Sequence, residues 1–315
     1  MNRFGNQYRI AIGKETSYGS GFTNLSGEVG SVRFEDLLIH SGMINMAPEI
    51  SVVPTGHRSM THFDTLCDEV PDTRSGIVTV SGSATVAILN KYLEGVLVKD
   101  GDNRVFPSDT SELPSFVLYQ IWSDTPAGSN YTVFATKGAK LTQFVITGAF
   151  GSLLQFEATF QTQEIKREAT VEITGTDPGI SCGDWLHFAD VIPAFDDVSE
   201  TNFEAFSISL VNELTADAYK YANNYTITNP VVIRQGGEIT YTRNYDAAGN
   251  EKTITMLNAE DTLTVIKIDG LGNIYIVSVP TSYELPDADK DFYKLNYSGK
   301  IIATSELEPI KITPQ

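Results

Sequence analysis

The chain has 315 residues, enough for one large domain or two of ordinary size. Hydrophobic residues make up 41% of it and charged residues 20%, the proportions of a soluble globular protein. There are 22 lysines and arginines against 40 aspartates and glutamates, a net charge of −18, and a surface this acidic repels nucleic acid and anionic membranes. The composition argues against a protein that grips DNA, although it does not exclude DNA passing close by.

The first 31 residues are predicted to form an N-terminal arm. They are rich in glycine, serine, threonine and asparagine, and only residues 8–12 are apolar enough to pair as a strand. Segments of this composition often become ordered only against a neighbouring molecule. Polar residues stand where a signal peptide needs its apolar core, and no apolar run approaches the roughly 18 residues of a membrane span. We therefore expect assembly in a cytoplasm, no membrane partner, and reduced thiols at Cys67 and Cys182.

Residues 32–175 are predicted to form a first β-domain that contains one helix. Prolines interrupt residues 41–76, so this stretch is expected to be a long extended loop. A strand at 77–80 is followed by a short helix near 84–98, with Ser83 as the candidate N-cap. The helix is predicted from apolar residues at helical spacing, which are Val86, Leu89, Leu93, Val96 and Leu97.

A long antiparallel hairpin is predicted over residues 141–161, after strands at 116–122 and 131–135. Its second strand alternates apolar with polar residues, so one face should be buried and the other wet. Residues 148–151 include two glycines suited to the turn, and no basic residue lies between 141 and 165. The alternating residues are Leu154, Phe156, Ala158 and Phe160 on the apolar side and Gln155, Glu157, Thr159 and Gln161 on the polar side.

Residues 176–200 are predicted to be a linker, because turn-forming and acidic residues cluster there, and residues 201–315 a second β-rich half or domain. Hairpins are expected around the turns 246–250 and 269–272. Closely spaced strands with glycine and asparagine turns are typical of antiparallel sandwiches and barrels. The predicted fold class is therefore mainly β, an antiparallel β-sandwich or barrel with one short α-helix and a long extended arm and loop.

One pentapeptide matches a catalytic pattern. Gly179-Ile-Ser181-Cys-Gly183 fits the G-x-S-x-G turn that carries the nucleophile of many serine hydrolases. That mechanism needs a preceding strand, a following helix, and an aspartate and a histidine further along the chain. Here the pentapeptide follows Thr-Asp-Pro-Gly, and the only downstream histidine is His187, so the context does not support a hydrolase.

Two groups of residues were weighed as metal sites. The first has no zinc-finger or HExxH spacing, and the second lacks the glycine and the twelfth-position glutamate of a calcium loop. The balance of motifs favours a protein that is not an enzyme and that has no catalytic residue, cofactor or metal. The two groups are His57, His62, Asp64 and Cys67, and Asp287, Asp289 and Asp291.

The stretch Arg9-Ile-Ala-Ile-Gly13-Lys-Glu-Thr-Ser-Tyr-Gly19 resembles the opening of the major tail tube proteins of long-tailed, siphovirus-like bacteriophages. In that family a short strand runs into a G-K-x-T-x-Y-G turn. The likeness continues in order and spacing through the loop that ends near residue 59, the strand and helix after residue 76, and the hairpin at 141–161. The chain is longer than the simplest tube subunits.

The resemblance implies a structural virion protein rather than an enzyme. Such β-sandwich or barrel subunits form rings, usually of six, which stack into a tube for DNA passage during ejection. A chain with two tube domains would close the same ring with three copies, so a trimer is the alternative. The implied partners are other copies of the chain, tail proteins such as the tape measure, terminator and distal tail proteins, and genomic DNA that is not specifically bound. The implied location is the virion tail, assembled in the host cytoplasm.

The acidic composition suits this implied role. DNA that slides through a bore must meet no adhesive cations, and an acidic wall would keep its phosphates hydrated. The competing interpretation is a β-sandwich carbohydrate-binding or adhesin-like module of a virion or cell surface, in which Trp122, Trp185 and the 14 tyrosines would supply a sugar platform.

Overall fold

The computed structural model describes residues 8–21, 32–48, 74–107, 113–122, 130–176, 185–195, 198–199, 203–215, 229–244, 262–284, 294–303 and 308–314. Within these ranges the protein has eighteen β-strands, one α-helix and two short 3₁₀ helices. The strands belong to one largely antiparallel sheet that does not close on itself. The predicted mainly-β, antiparallel fold class with a single short α-helix is confirmed.

The elements follow one another along the chain with few long excursions among the described residues. They are β1 (Tyr8–Lys14), β2 (Val32–Arg33), η1 (Phe34–Asp36), β3 (Leu37–His40), β4 (Met43–Pro48), β5 (Arg74–Ser83), α1 (Val86–Leu93), β6 (Val98–Asp100), β7 (Asn103–Val105), β8 (Phe116–Trp122), β9 (Asn130–Ala149), β10 (Gln155–Thr174), η2 (Phe188–Asp190), β11 (Val191–Phe195), β12 (Val198–Ser199), β13 (Phe203–Leu214), β14 (Val232–Asn244), β15 (Thr262–Ile268), β16 (Gly272–Glu284), β17 (Lys294–Ile301) and β18 (Ile310–Thr313).

The predicted hairpin is confirmed as the pair β9 and β10, and each strand is 20 residues long. The separate strand expected at 131–135 is the first part of β9. The two strands stay paired over this length because register shifts after Thr159 and after Lys166 absorb local irregularities. The lower half of the hairpin holds further strands on both sides, with β5 on β10 and β13 on β9.

The strand pairings describe an internal repeat. In the first seven-strand unit the order across the sheet is β3-β1-β8-β9-β10-β5-β4. In the second unit the order is β12-β11-β15-β16-β17-β14-β13, and corresponding strands occur in the same chain order. All of these pairs are antiparallel. The chain therefore repeats one topology twice, and the pairing of β9 with β13 joins the two units.

The two units share one large hydrophobic core. It combines buried residues of α1, such as Tyr92, with residues from strands of both units, such as Phe160 and Ile276. The helix is shorter than predicted, and its N-cap is Thr85, whose Oγ1 accepts a hydrogen bond from the Ile88 N–H at 3.3 Å. Ser83, the predicted N-cap, instead ends β5, because pairing with Gln155 keeps the chain extended at that point.

Strand β1 lies inside the fold, within the region predicted as an arm. It pairs with β3 on one side and β8 on the other, and Ile10, Ala11 and Ile12 are fully buried. Its two faces contribute to two cores, the large one and a smaller cluster that includes Phe34 of η1. The rest of the predicted arm, and residues 49–73 of the predicted loop, lie outside the described residues.

Part of the segment predicted as a linker also belongs to the fold. Residues 185–195 are described, and Leu186, Phe188 and Val191 are buried. Strand β11 pairs with β15 and starts the second unit. The hairpin predicted around 269–272 is confirmed as β15 and β16, whereas the predicted strand at 252–256 lies outside the described residues.

The turn after β1 is tied to the hairpin by one buried carboxylate. Glu15 Oε2 accepts a hydrogen bond from the Gly19 N–H at 3.1 Å, and its Oε1 accepts one from the Gly138 N–H at 3.0 Å. Both glycines have positive φ, and a Cβ on either would collide with Gln163. Burial raises the pKa of Glu15, and hydrogen bonds from its neighbours oppose that effect. The motif in the family resemblance is thus a structural turn.

A buried histidine links β3 to the helix. His40 Nδ1 lies 2.9 Å from the Ser41 carbonyl oxygen, and its Nε2 lies 2.9 Å from the Tyr92 hydroxyl. Since a carbonyl can only accept, Nδ1 carries the proton and Nε2 accepts from Tyr92. Burial lowers the pKa of His40 to about 4, against a smaller opposing effect of the Ser41 hydrogen bond.

This histidine should make the protein sensitive to acid. The unfolded chain takes up the proton near pH 6.5 and the folded chain only near pH 4, so stability is lost as pH falls through that window. The difference corresponds to roughly 3 kcal/mol in the free energy of unfolding. His40→Gln keeps a donor and an acceptor but cannot titrate. In urea unfolding at pH 7 and pH 4, the wild type should lose that much more stability than the variant, and equal losses would contradict this role.

Candidate assembly surface

Eight strands form a continuous sheet across both units, and we call them the main sheet. Their order is β4-β5-β10-β9-β13-β14-β17-β16, and every neighbouring pair is antiparallel. One face of the main sheet covers the large core with residues such as Phe144, Phe156 and Ile208. Since side chains alternate along a strand, the residues between them point away from the core. We call this outward side the polar face.

One row of the polar face shows its chemistry. Each residue in the row is the direct cross-strand partner of the next, so their side chains lie side by side. Every member is a serine, a threonine or a glutamine, and none is buried. The row crosses seven strands and consists of Ser83, Gln155, Thr147, Ser207, Thr240, Ser298 and Ser282.

The adjacent row carries the charges. It contains Glu157, Glu238 and Lys300, and the last two are direct cross-strand partners. Around them lie neutral groups, and amide-to-hydroxyl hydrogen bonds such as that from Gln143 Nε2 to Ser209 Oγ at 3.1 Å satisfy some of these groups. Among the described residues, the polar face is therefore nearly neutral rather than strongly acidic. The expectation of an acidic wall is not supported by this part of the surface.

A groove of about 680 Å³ opens on the polar face over β4, β5, β10 and β9. Its walls include Met43, Gln155, Glu157 and Trp185. Trp185 reaches this place because it forms an isolated β-bridge with Thr85, just beyond the end of β5. The sheet is hollowed at this point, and an aromatic ring lies beside amide and carboxylate groups.

The main sheet has two margins without a partner strand among the described residues. At one margin is β4, six residues long and uncharged, with Met43 69% exposed. At the other are residues 279–284 of β16, because β15 pairs only with 272–278. Unpaired backbone N–H and C=O groups at a margin can take up another strand, and charged residues that would discourage this are missing from β4.

Exposed apolar side chains mark the two ends of the main sheet. At one end, Phe150 in the β9–β10 turn is 82% exposed beside a groove of about 430 Å³ that Phe188 and Phe203 also line. At the other end, Val231 and Ile233 are exposed where β14 begins. Strand β13 runs from the first end to the second, and its 12 residues span about 40 Å.

The chemical motifs weighed in the sequence lie outside the described residues. This holds for Ser181 and its pentapeptide and for both candidate metal groups. Across the described ranges, no cluster of three or more histidine, cysteine, aspartate or glutamate residues is placed to hold a metal ion. No helix in the same ranges is long and apolar enough to cross a membrane.

The sequence pointed to half of the polar face and missed the other half. Alternation along β10 identified Gln155, Glu157 and Thr159 as one wet side. The signal for the second unit was present as alternating hydroxyl residues, such as Ser207 and Ser209, but nothing in the sequence showed that they continue the same surface. The sequence matches no known family model, and no curated protein matches it either.

The two faces of β13 should respond oppositely to a buried charge. Ser207→Asp places a carboxylate on the polar face and should change the free energy of unfolding by less than about 1 kcal/mol. Ile208→Asp, one residue along, forces a carboxylate into the core and should cost more than about 4 kcal/mol or prevent folding. Urea unfolding followed by circular dichroism measures both. Equal effects would show that the faces are wrongly assigned.

Proposed function

We propose that this protein is the major tail tube subunit of a long-tailed bacteriophage, a structural protein that assembles into stacked rings around a bore for DNA. The polar face carries this proposal. A sheet of eight strands that is apolar on one side and covered with hydroxyl and amide groups on the other suits a wall between a protein core and water. Its unpaired margins supply the means to join copies side by side.

The chemistry of the polar face suits DNA that must move. Protein groups that hold DNA are mainly lysine and arginine side chains on its phosphates. The described polar face offers Lys300, and that lysine is opposite Glu238. Neutral hydroxyl groups exchange hydrogen bonds with water as readily as with phosphate, so a duplex would pass without a strong site to hold it.

The two apolar ends of the main sheet suit the stacking of one ring on the next. They lie at opposite ends of the same strands, so a shift along the strand direction brings Ile233 of one copy towards Phe150 of another. Burying these side chains would stabilise the stack by about 2 kcal/mol for each large residue. Contacts of this head-to-tail kind do not close and therefore produce filaments.

The purified full-length protein should form hollow tubes or stacked rings in negative-stain electron microscopy. The double variant Phe150→Ser, Ile233→Ser should still form rings but much shorter stacks, because the apolar contacts between rings are lost. Thr159→Ser, on the polar face away from both ends, is the control and should leave tube length unchanged.

A protein that stays monomeric at high concentration would refute the proposed function. Tubes of normal length from the double variant would leave the function in place and show that stacking depends on other residues.

The groove at Trp185 favours a second candidate function, a carbohydrate-binding module. Sugars bind where an aromatic ring stacks on them and polar side chains reach their hydroxyl groups, and Gln155 and Glu157 stand beside Trp185 in this groove. If this function holds, the monomer should bind members of a glycan array, and Trp185→Ala should abolish that binding. A wild-type monomer that binds no glycan would exclude it.

A further inference from the structure

The internal repeat makes one contact within the chain equivalent to a contact between chains. In the first unit, β8 covers only the first part of β9, and the second part pairs with β13. In the second unit, β15 covers only the first part of β16, and residues 279–284 are left without a described partner. By the repeat, β16 corresponds to β9, and β13 corresponds to β4. The partner that matches residues 279–284 is therefore a β4 strand.

The β4 strand of the same chain cannot fill this place. It lies at the opposite margin of the main sheet, with six strands between it and β16. A second copy of the chain can supply it. Each margin has six residues, so the lengths match. Pro280 has no N–H to donate, which removes one possible ladder bond but leaves the others.

Strand direction is also compatible. The main sheet has an even number of alternating strands, so β4 and β16 run in opposite directions. In a ring all copies point the same way along the axis. The β16 strand of one copy then meets the β4 strand of the next in antiparallel orientation, as β9 meets β13. An odd number of strands would have produced a parallel junction.

We propose that β4 of one copy pairs antiparallel with residues 279–284 of β16 in the next, and that three copies close the main sheet into a ring. This inference rests on the proposed function and specifies its ring. The internal β9–β13 junction and the junction between copies then alternate six times around the ring. All copies place their polar faces on the same side of the closed sheet.

The width of the bore selects three copies over six. Strands lie about 4.8 Å apart, so 24 strands give a circumference of about 115 Å and a diameter of about 37 Å before tilt. Side chains occupy about 5 Å on each side, which leaves a bore of roughly 27 Å that widens with strand tilt. A DNA duplex, with grooves about 8 Å deep, is on the order of 20 Å wide. Six copies would give a sheet about 73 Å across, far wider than one duplex needs.

Paired cysteines test the junction. In full-length protein with Cys67→Ser and Cys182→Ser, Asn45→Cys is combined in turn with Thr281→Cys and Ser282→Cys, all at exposed positions of the two margins. Under mild oxidation at least one pair should give a ladder of dimer and trimer on a non-reducing gel, with trimer as the largest species. A matched control, Asn45→Cys with Ser207→Cys on a central strand, should stay monomeric on the gel.

The outcomes separate this inference from the proposed function. Tubes that form in the microscope while neither margin pair cross-links would overturn the junction and leave the tube function standing. A ladder that continues to six would overturn the count of three but keep the junction. Monomeric protein with neither tubes nor cross-links would refute both.

Discussion

The ladder between β9 and β13 is the contact on which the rest of the structure depends. Seven residue pairs, from Ala149 with Ala205 to Gln143 with Val211, join the two seven-strand units. Because pairing is continuous there, side chains of β9 and β13 alternate in phase, and the apolar side of one unit continues into the apolar side of the other. A slip of one residue would turn Ile208 outward and Ser207 into the core. The single large core and the single polar face are two consequences of this one register.

The sequence was informative wherever structure depends on near neighbours. Alternation in residues 154–161 predicted β10 and its buried side, and the turn at 269–272 predicted the β15–β16 hairpin. It failed where two local signals competed, as at the helix N-terminus, where Ser83 and Thr85 are both good caps. The choice was made by the pairing of Ser83 with Gln155, two residues that are far apart in the chain. The place of β1 at the centre of its unit likewise depends on distant partners.

The internal repeat is the clearest example of structure that the sequence did not reveal. Corresponding strands share order and direction but little visible sequence, since a strand in this sheet needs only an apolar residue at every second position. Strands β9 and β16 satisfy that requirement with different side chains and different lengths. The candidate assembly surface was hidden for the same reason. Its hydroxyl residues come from seven strands, and only the pairing brings Ser83 and Ser282 into one row.

The net charge of −18 and the nearly neutral polar face have different physical roles. A free subunit has apolar side chains at both ends of its sheet and unpaired margins, so it needs long-range repulsion to stay dispersed. Repulsion of that kind depends on total charge and falls off within about 10 Å at moderate salt, wherever the charges lie. A wall along which DNA slides needs the opposite, a surface without fixed charges that hold phosphates or counterions at particular points. Serine and threonine supply such a wall, and the carboxylates that keep the subunit in solution need not be part of it.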